Sequence, residues 1–156
     1  MVKLRMYFET TMFNYYLDAE RDGHADTVRL FEAIRAGKHE AYTSGYAIEE
    51  LLHASEPKRG QMMALIDVYG ITTLDITEDS NALASLYVLE GVVPMRFRLD
   101  GAHIAIASIH GLDCILSYNF QHINRVKTKL LAERINHRSG YLSPVICTAK
   151  EVLEDE

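Results

Sequence analysis

A chain of 156 residues has room for one domain with a full core and too little for two ordinary ones. Its hydrophobic fraction of 48% and charged fraction of 24% exclude extended disorder. A net charge of −6 excludes a general electrostatic grip on nucleic acid, which comes from Lys and Arg neutralising phosphates, but leaves room for a local basic strip.

Lys3 to Phe8 alternates and then condenses into a β-prone run that stops at Glu9-Thr10-Thr11. The pattern predicts a central strand delivering polar groups at its end, then a turn or helix start. Asp26 to Ala36, with Val28, Leu30, Phe31 and Ile34, predicts an amphipathic helix stopped by Gly37. Ala41 to Thr43 is a short second strand. Ser44 then precedes Tyr46 to Leu52, where acidic residues in the first turns favour a helix that breaks near Glu56-Pro57. Met62, Leu65, Ile66 and Tyr69 keep helical spacing up to Gly70, and Ile71 to Leu74 supplies a third strand.

Thr77 or Asp79 starts a helix carrying Leu83, Leu86 and Tyr87. After the Gly91-Val92-Val93-Pro94 break, Ala102, Ala105, Ile106 and Ile109 recur at helical intervals, and their small neighbours let this helix lie close on a sheet. Cys114 to Ser117 is a short buried strand opening onto Tyr118, Asn119 and Phe120. A polar helix over Asn124 to His137 and a fifth strand over Pro144 to Cys147 complete the pattern. Strands alternating with helices predict an α/β fold, a three-layer α/β/α sandwich around a mostly parallel sheet of about five strands. Residues 1–150 are expected to form the single domain and 151–156 an acidic C-terminal end. The apolar runs are too short to span a membrane and no secretory segment opens the chain, so the cytoplasm is expected. Cys114 and Cys147 sit in apolar segments and read as buried core thiols.

Chemistry concentrates where strands end. In an α/β sheet the carboxyl end of a strand and the amino end of a neighbouring helix share a crevice, so Asp100 and Asn119 can face one site. The plainer reading of Asp100 is a helix cap. Glu9, Glu49 or Glu50, and Asp100 fall at comparable places in the pattern. Carboxylates gathered at one sheet edge repel one another unless protons or cations neutralise them, and Mg²⁺ favours such oxygen ligands. Arg125, Lys127, Lys129, Arg134 and Arg138 cluster after Asn119, whereas Glu151, Glu154, Asp155 and Glu156 close the chain. The cluster reads either as a solvated helix face or as a strip for a phosphate backbone. His103 and His122 lie three residues after Asp100 and Asn119, placed for phosphate contact or proton transfer, or else for structural hydrogen bonding. Tyr15, Tyr16 and the Met62-Met63 pair read as packing or oligomer contacts. There is no Cys/His spacing for zinc, no Gly-rich phosphate loop and no serine-nucleophile elbow.

Over most of its length the chain resembles PIN-domain nucleases, the group that includes VapC-type toxins. The carriers are Tyr7-Phe8-Glu9-Thr10-Thr11, Ser44 through Glu50-Leu51-Leu52, Asp100-Gly101-Ala102-His103-Ile104-Ala105-Ile106-Ala107, and Leu116-Ser117-Tyr118-Asn119-Phe120-Gln121-His122-Ile123. Their order and spacing carry the resemblance together. It implies metal-dependent hydrolysis of RNA phosphodiester bonds, with Mg²⁺ or Mn²⁺ held by Glu9, Glu50 and Asp100, and by Asn119 directly or through water. Glu49 is the neighbouring alternative to Glu50. Thr10 and Ser117 would orient ligands or waters, and Arg125, Lys127 and Lys129 would hold the RNA backbone. The resemblance further implies a homodimer and a cognate antitoxin. Two departures matter: Glu9 stands where the family more often has Asp, and Asn119 replaces a common acid, keeping an oxygen but losing a charge. They support a rival expectation, a PIN-like RNA- or protein-binding regulatory module with weakened chemistry.

Overall fold

Strand β1 (Arg5–Phe8) is buried on both faces from Met6 onward, as its continuous apolar run requires of a central parallel strand. In this computed structural model, which describes residues 2–154, it is flanked by β2 (Glu40–Ser44) and β4 (Cys114–Leu116). With β3 (Thr72–Leu74) and β5 (Val145–Cys147) outside them, the sheet order is β3-β2-β1-β4-β5 and every pairing is parallel. The helices are α1 (Thr10–Leu17), α2 (His24–Arg35), α3 (Gly45–Leu52), α4 (Lys58–Val68), α5 (Glu78–Leu89), α6 (Arg98–Ile109), α7 (Val126–Ser139) and α8 (Ala149–Glu154). Successive strand residues point to opposite faces. Met6, Phe8 and Leu116 therefore join α1, α2, α4 and α8 in one core cluster, while Tyr7, Ile115 and Ile146 join α5, α6 and α7 in the other. The expected three-layer sandwich is the observed one.

Local chemistry sets the helix boundaries. The Ser44 hydroxyl caps α3 by accepting the Tyr46 N–H at 3.2 Å, as its position predicts. Thr77 and Ser80 form a reciprocal capping box that starts α5. The capping reading of Asp100 is corrected: α6 is entered through a 3₁₀ turn over Met95–Phe97, its N-cap is Phe97, and Asp100 lies within the first turn. Helix α7 begins at Val126 because Asn119 to Asn124 form a tight turn, with the Ile123 and Asn124 N–H groups bonded to the Asn119 carbonyl at 3.2 and 2.7 Å. Gly101 is what lets α6 approach α5 and its following loop: a Cβ there would stand 3.0 Å from Val93 Cγ2. Ala149 and Val152 of α8 are buried in the first cluster, so the chain is anchored to the core almost to its described end. Asp155 and Glu156 lie outside the described residues. No described helix is long and apolar enough to cross a membrane.

The topology positions the site. From β1 the chain proceeds outward to β2 and β3, then returns across the sheet to β4 on the other side of β1. This reversal opens a crevice beyond the carboxyl ends of β1 and β4, the place where open α/β sheets bind ligands. Glu9 follows β1 there, and Ser117 to Asn119 follow β4.

Candidate functional site

Glu9 is only 2% exposed, and its backbone N–H continues the sheet ladder to the Leu116 carbonyl at 3.1 Å. A carboxylate taken this far from water needs donors. Its Oε1 accepts two, from the Thr11 and Ser117 hydroxyls, each at 2.6 Å. Both hydroxyls also accept backbone N–H groups, Thr11 from Tyr118 at 2.8 Å and Ser117 from Asn119 at 3.0 Å. The ends of β1 and β4 are thereby stitched together around Glu9.

Glu50 enters from α3, turned toward the crevice, while Glu49 beside it is exposed. Its Oε1 accepts the Thr10 hydroxyl at 2.9 Å and the His103 Nε2–H at 2.5 Å. Burial pushes the Glu50 carboxyl up, but the hydrogen bond and charge of His103, with Thr10, bring it below the ordinary value. His103 is fully buried on α6. Burial alone would lower its pKa, yet the bond to Glu50 and the charges of Glu50, Glu9 and Asp100 raise it. Its other nitrogen, Nδ1, lies 2.6 Å from the Tyr7 hydroxyl, which lies 2.7 Å from Ser44 Oγ. His103 therefore reaches the site only through Glu50, and as placed it touches no solvent that could bring a phosphate.

Asp100 is half-buried and, in contrast to the two glutamates, no hydrogen bond supports its carboxylate. Burial raises its pKa to about 6; the charges of Glu9 and Glu50 add to that, while His103 and His122 oppose it. Glu9, Glu50, His103 and His122 therefore all lie within electrostatic reach of Asp100. Asn119 sits at the edge of the crevice, but its Oδ1 accepts the His122 N–H at 3.0 Å and so stabilises the turn after β4. His122 stacks on Phe97, ring centroids 4.0 Å apart, and the Arg96 guanidinium lies over the same Phe97 ring at 5.1 Å. Phe120, edge-on to Tyr118 with ring centroids 6.4 Å apart, is 55% exposed.

The basic segment is divided. Arg125 lies beside the crevice, its Nε donating to the Thr128 hydroxyl at 2.9 Å, which in turn donates to the His122 carbonyl at 2.9 Å. Lys127, two residues on in the first turn of α7, is exposed. Lys129 turns elsewhere, lining a cavity of about 840 Å³ against β5 with Cys114, Cys147 and Glu151. Arg138 pairs with Glu90 at the opposite end of α7, and Arg134 stays at that end. Cys114 and Cys147 are buried free thiols, as expected. Tyr15 stacks on Tyr118 at 3.8 Å and Tyr16 hydrogen-bonds Tyr69, which makes both packing residues.

The donor set suits a hard divalent ion in kind, being carboxylate oxygens in an acidic crevice. Its arrangement does not suit one as it stands. Among the described residues, no three His, Cys, Asp or Glu side chains come close enough together to hold a metal ion. One oxygen of Glu50 is held by His103 and Thr10, and one of Glu9 by Ser117 and Thr11. Sequence reasoning gave Thr10, Ser117 and His103 a place in the site but gave none to Tyr7, Thr11 and Ser44, although its motifs contain them. The signal for Tyr7 was present, since a tyrosine inside a buried central strand must find its hydroxyl a partner.

Comparison with solved structures gives the fold and no more. The chain is similar to the Mycobacterium tuberculosis VapC20, a toxin that cleaves the sarcin-ricin loop, with 12% identity, 88% of this chain and 96% of that one covered, and a TM-score of 0.58. It is also similar to VapBC2 from Rickettsia felis, determined bound to a DNA fragment from their promoter, with 14% identity, 93% and 98% covered, and a TM-score of 0.56. No family model matches the chain, and no curated protein matches it. The architecture is thus that of VapC-type toxins over nearly the whole length of both chains.

Proposed function

We propose that this chain is a PIN-like RNA-binding module, holding RNA along the rim of its acidic crevice, with phosphodiester chemistry weakened by the internal pairing of its acids. The observation that carries this reading is that no three potential ligands converge among the described residues. Support for RNA comes from the rim: Arg125 and Lys127 at the amino end of α7, where a helix terminus favours anions, the Arg96, Phe97 and His122 stack, and exposed Phe120 in the turn after β4.

The second reading is a ribonuclease that uses Mg²⁺ or Mn²⁺, possessed of Glu9, Glu50 and Asp100 as ligands with Asn119 at the edge. It is favoured by Asp100, a desolvated carboxyl without a hydrogen bond, its pKa raised by two neighbouring glutamates, a group that a cation would satisfy. A bound ion would generate hydroxide and stabilise charge on the departing oxygen. Thr10 and Ser117 would keep Glu50 and Glu9 oriented, and Arg125 with Lys127 would align the backbone. In either reading a homodimer and a cognate antitoxin are the proposed assembly, as the resemblance to VapC-type toxins implies.

The test is a panel of labelled RNAs incubated with the purified full chain in Mg²⁺, Mn²⁺ or chelator, scoring binding and cleavage together. Salt-sensitive binding without cuts supports the module. Chelator-sensitive cuts that disappear in Asp100→Asn establish the ribonuclease instead. Absence of RNA binding in every condition refutes both and leaves the crevice to a protein partner.

A further inference from the structure

We infer that the outer edge of β5 is a docking site for an extended, acid-bearing segment of a partner protein, which adds to the sheet as a further strand. β5 closes one side of the sheet and is paired with β4 alone. In a parallel ladder the N–H and C=O of one residue face the same neighbouring strand, and those of the next residue face away from it. The Val145 N–H bonds the Asp113 carbonyl at 3.0 Å and the Cys147 carbonyl accepts the Ser117 N–H at 3.1 Å, so both residues face inward. Ile146 between them presents its N–H and C=O outward, and among the described residues neither finds a partner. The strand at the other edge, β3, shows exposed Thr72 and Thr73, whereas β5 is Val-Ile-Cys. An unpaired apolar edge of this kind is a template for an added strand.

Both faces of β5 have room for the side chains of such a strand. Side chains alternate across a sheet, and residues paired between strands share a face. A residue set beside Ile146 falls on the α6–α7 side, where Ile104, Ala132 and Pro144 line a groove of about 250 Å³. Its two neighbours fall on the opposite side, with Cys147, toward the groove of about 840 Å³ that Leu4 and Val152 line together with exposed Val2 and Val145. Charge selects the occupant. Asp113 and Glu151 in the larger groove already accept the Arg5 and Thr148 backbone N–H groups, at 2.8 and 2.6 Å, and Glu133 at the smaller one is exposed. Lys129 of α7 lines both grooves and is in no ion pair among the described residues. Its ammonium selects a segment whose central residue is acidic and whose neighbours are apolar. It also works against a second copy of β5, which would bring a second Lys129 to the same seam.

Hydrogen exchange of the Ile146 amide in the full chain, read by NMR, tests this with synthetic peptides built on Thr-Val-Glu-Val-Thr and on the same core with Gln or Lys at its centre. Without peptide the Ile146 N–H should exchange fast, while that of Val145, bonded to β4, is protected. The Glu peptide should slow Ile146 by about tenfold or more. It should bind about five- to tenfold tighter than the Gln peptide, the scale of one charge-assisted hydrogen bond, and the Lys peptide should bind most weakly. Lys129→Gln, a change at a half-buried side chain without an ion-pair partner and so expected to fold normally, should erase the difference between the Glu and Gln peptides. Methylating every peptide nitrogen leaves the side chains in place and should abolish binding, which separates strand addition from burial of apolar groups. An Ile146 amide already protected in dilute, peptide-free protein overturns the proposal, as does the absence of protection by any of the peptides at millimolar concentration. Protection that rises with protein concentration alone also overturns it and gives the edge to a second copy. RNA and metal ions are absent throughout, so the result is independent of the proposed function.

Discussion

Replacing Asp100 by Asn should stabilise the protein at neutral pH, although Asp100 belongs to the candidate site. Burial is the main cause of its raised pKa, about 6 in the folded chain, with the Glu9 and Glu50 charges adding to it. In the unfolded chain an aspartate titrates near its ordinary value of about 3.9. The sign follows from linkage: the unfolded chain releases this proton at lower pH than the folded one, so stability is full below about pH 4 and falls as pH rises through about 6. A gap of about two pH units at about 1.4 kcal/mol each gives an upper limit near 3 kcal/mol. The side chain is half-buried and partly screened by water, which reduces the expected gain to about 1–2 kcal/mol. For a chain of this size that is an increase in Tm of about 3–6 °C. Thermal unfolding of wild type and Asp100→Asn at about pH 7.5 and about pH 4 measures it. A variant no more stable than wild type at the higher pH, or equally stabilised at both, would refute the reasoning.

Ser117→Ala removes a fully buried hydroxyl that donates to Glu9 and accepts from Asn119, leaving both short of a partner. Urea unfolding should show a loss of about 2–3 kcal/mol; wild-type stability would mean that Glu9 does not depend on this bond. Gly101→Val places a branched side chain against Val93, where even a Cβ stands at 3.0 Å, and should cost about 1–3 kcal/mol in the same assay. Arg125→Ala with Lys127→Ala should weaken RNA binding and flatten its salt dependence by about two phosphate contacts, while Arg138→Ala, already paired with Glu90, should change neither. Equal effects from both ends of α7 would remove the rim from the RNA reading.

The elements were legible because their signals are local. Ser44 and Thr77 announce helix starts through side-chain oxygens that reach backbone N–H groups two or three residues on, and the structure shows both caps. The alternation of strands and helices, with the buried run Met6 to Phe8, predicts the covered parallel sheet that is observed. Boundaries were less legible where a turn competes with a helix. Asn124 was expected inside α7 but belongs to the turn organised by Asn119, and α8 was not anticipated because its six residues offer too short a pattern to read.

The sequence by itself determined which residues stand at strand ends and helix starts, because spacing along the chain fixes those places. It therefore placed Glu9, Glu49 or Glu50, and Asp100 at comparable positions in the pattern, with Asn119 after the fourth strand. Only the tertiary structure decided what each group is bonded to, since the partners come from distant segments: His103 meets Glu50 across 53 residues, and Ser117 meets Glu9 across 108. Hydrogen bonding acts through space at angstrom range, and a linear pattern does not encode which of several nearby oxygens a donor will reach. That is why spacing predicts where the acids stand along the chain, while only the folded chain shows that Glu9 and Glu50 are each bonded to their own donors.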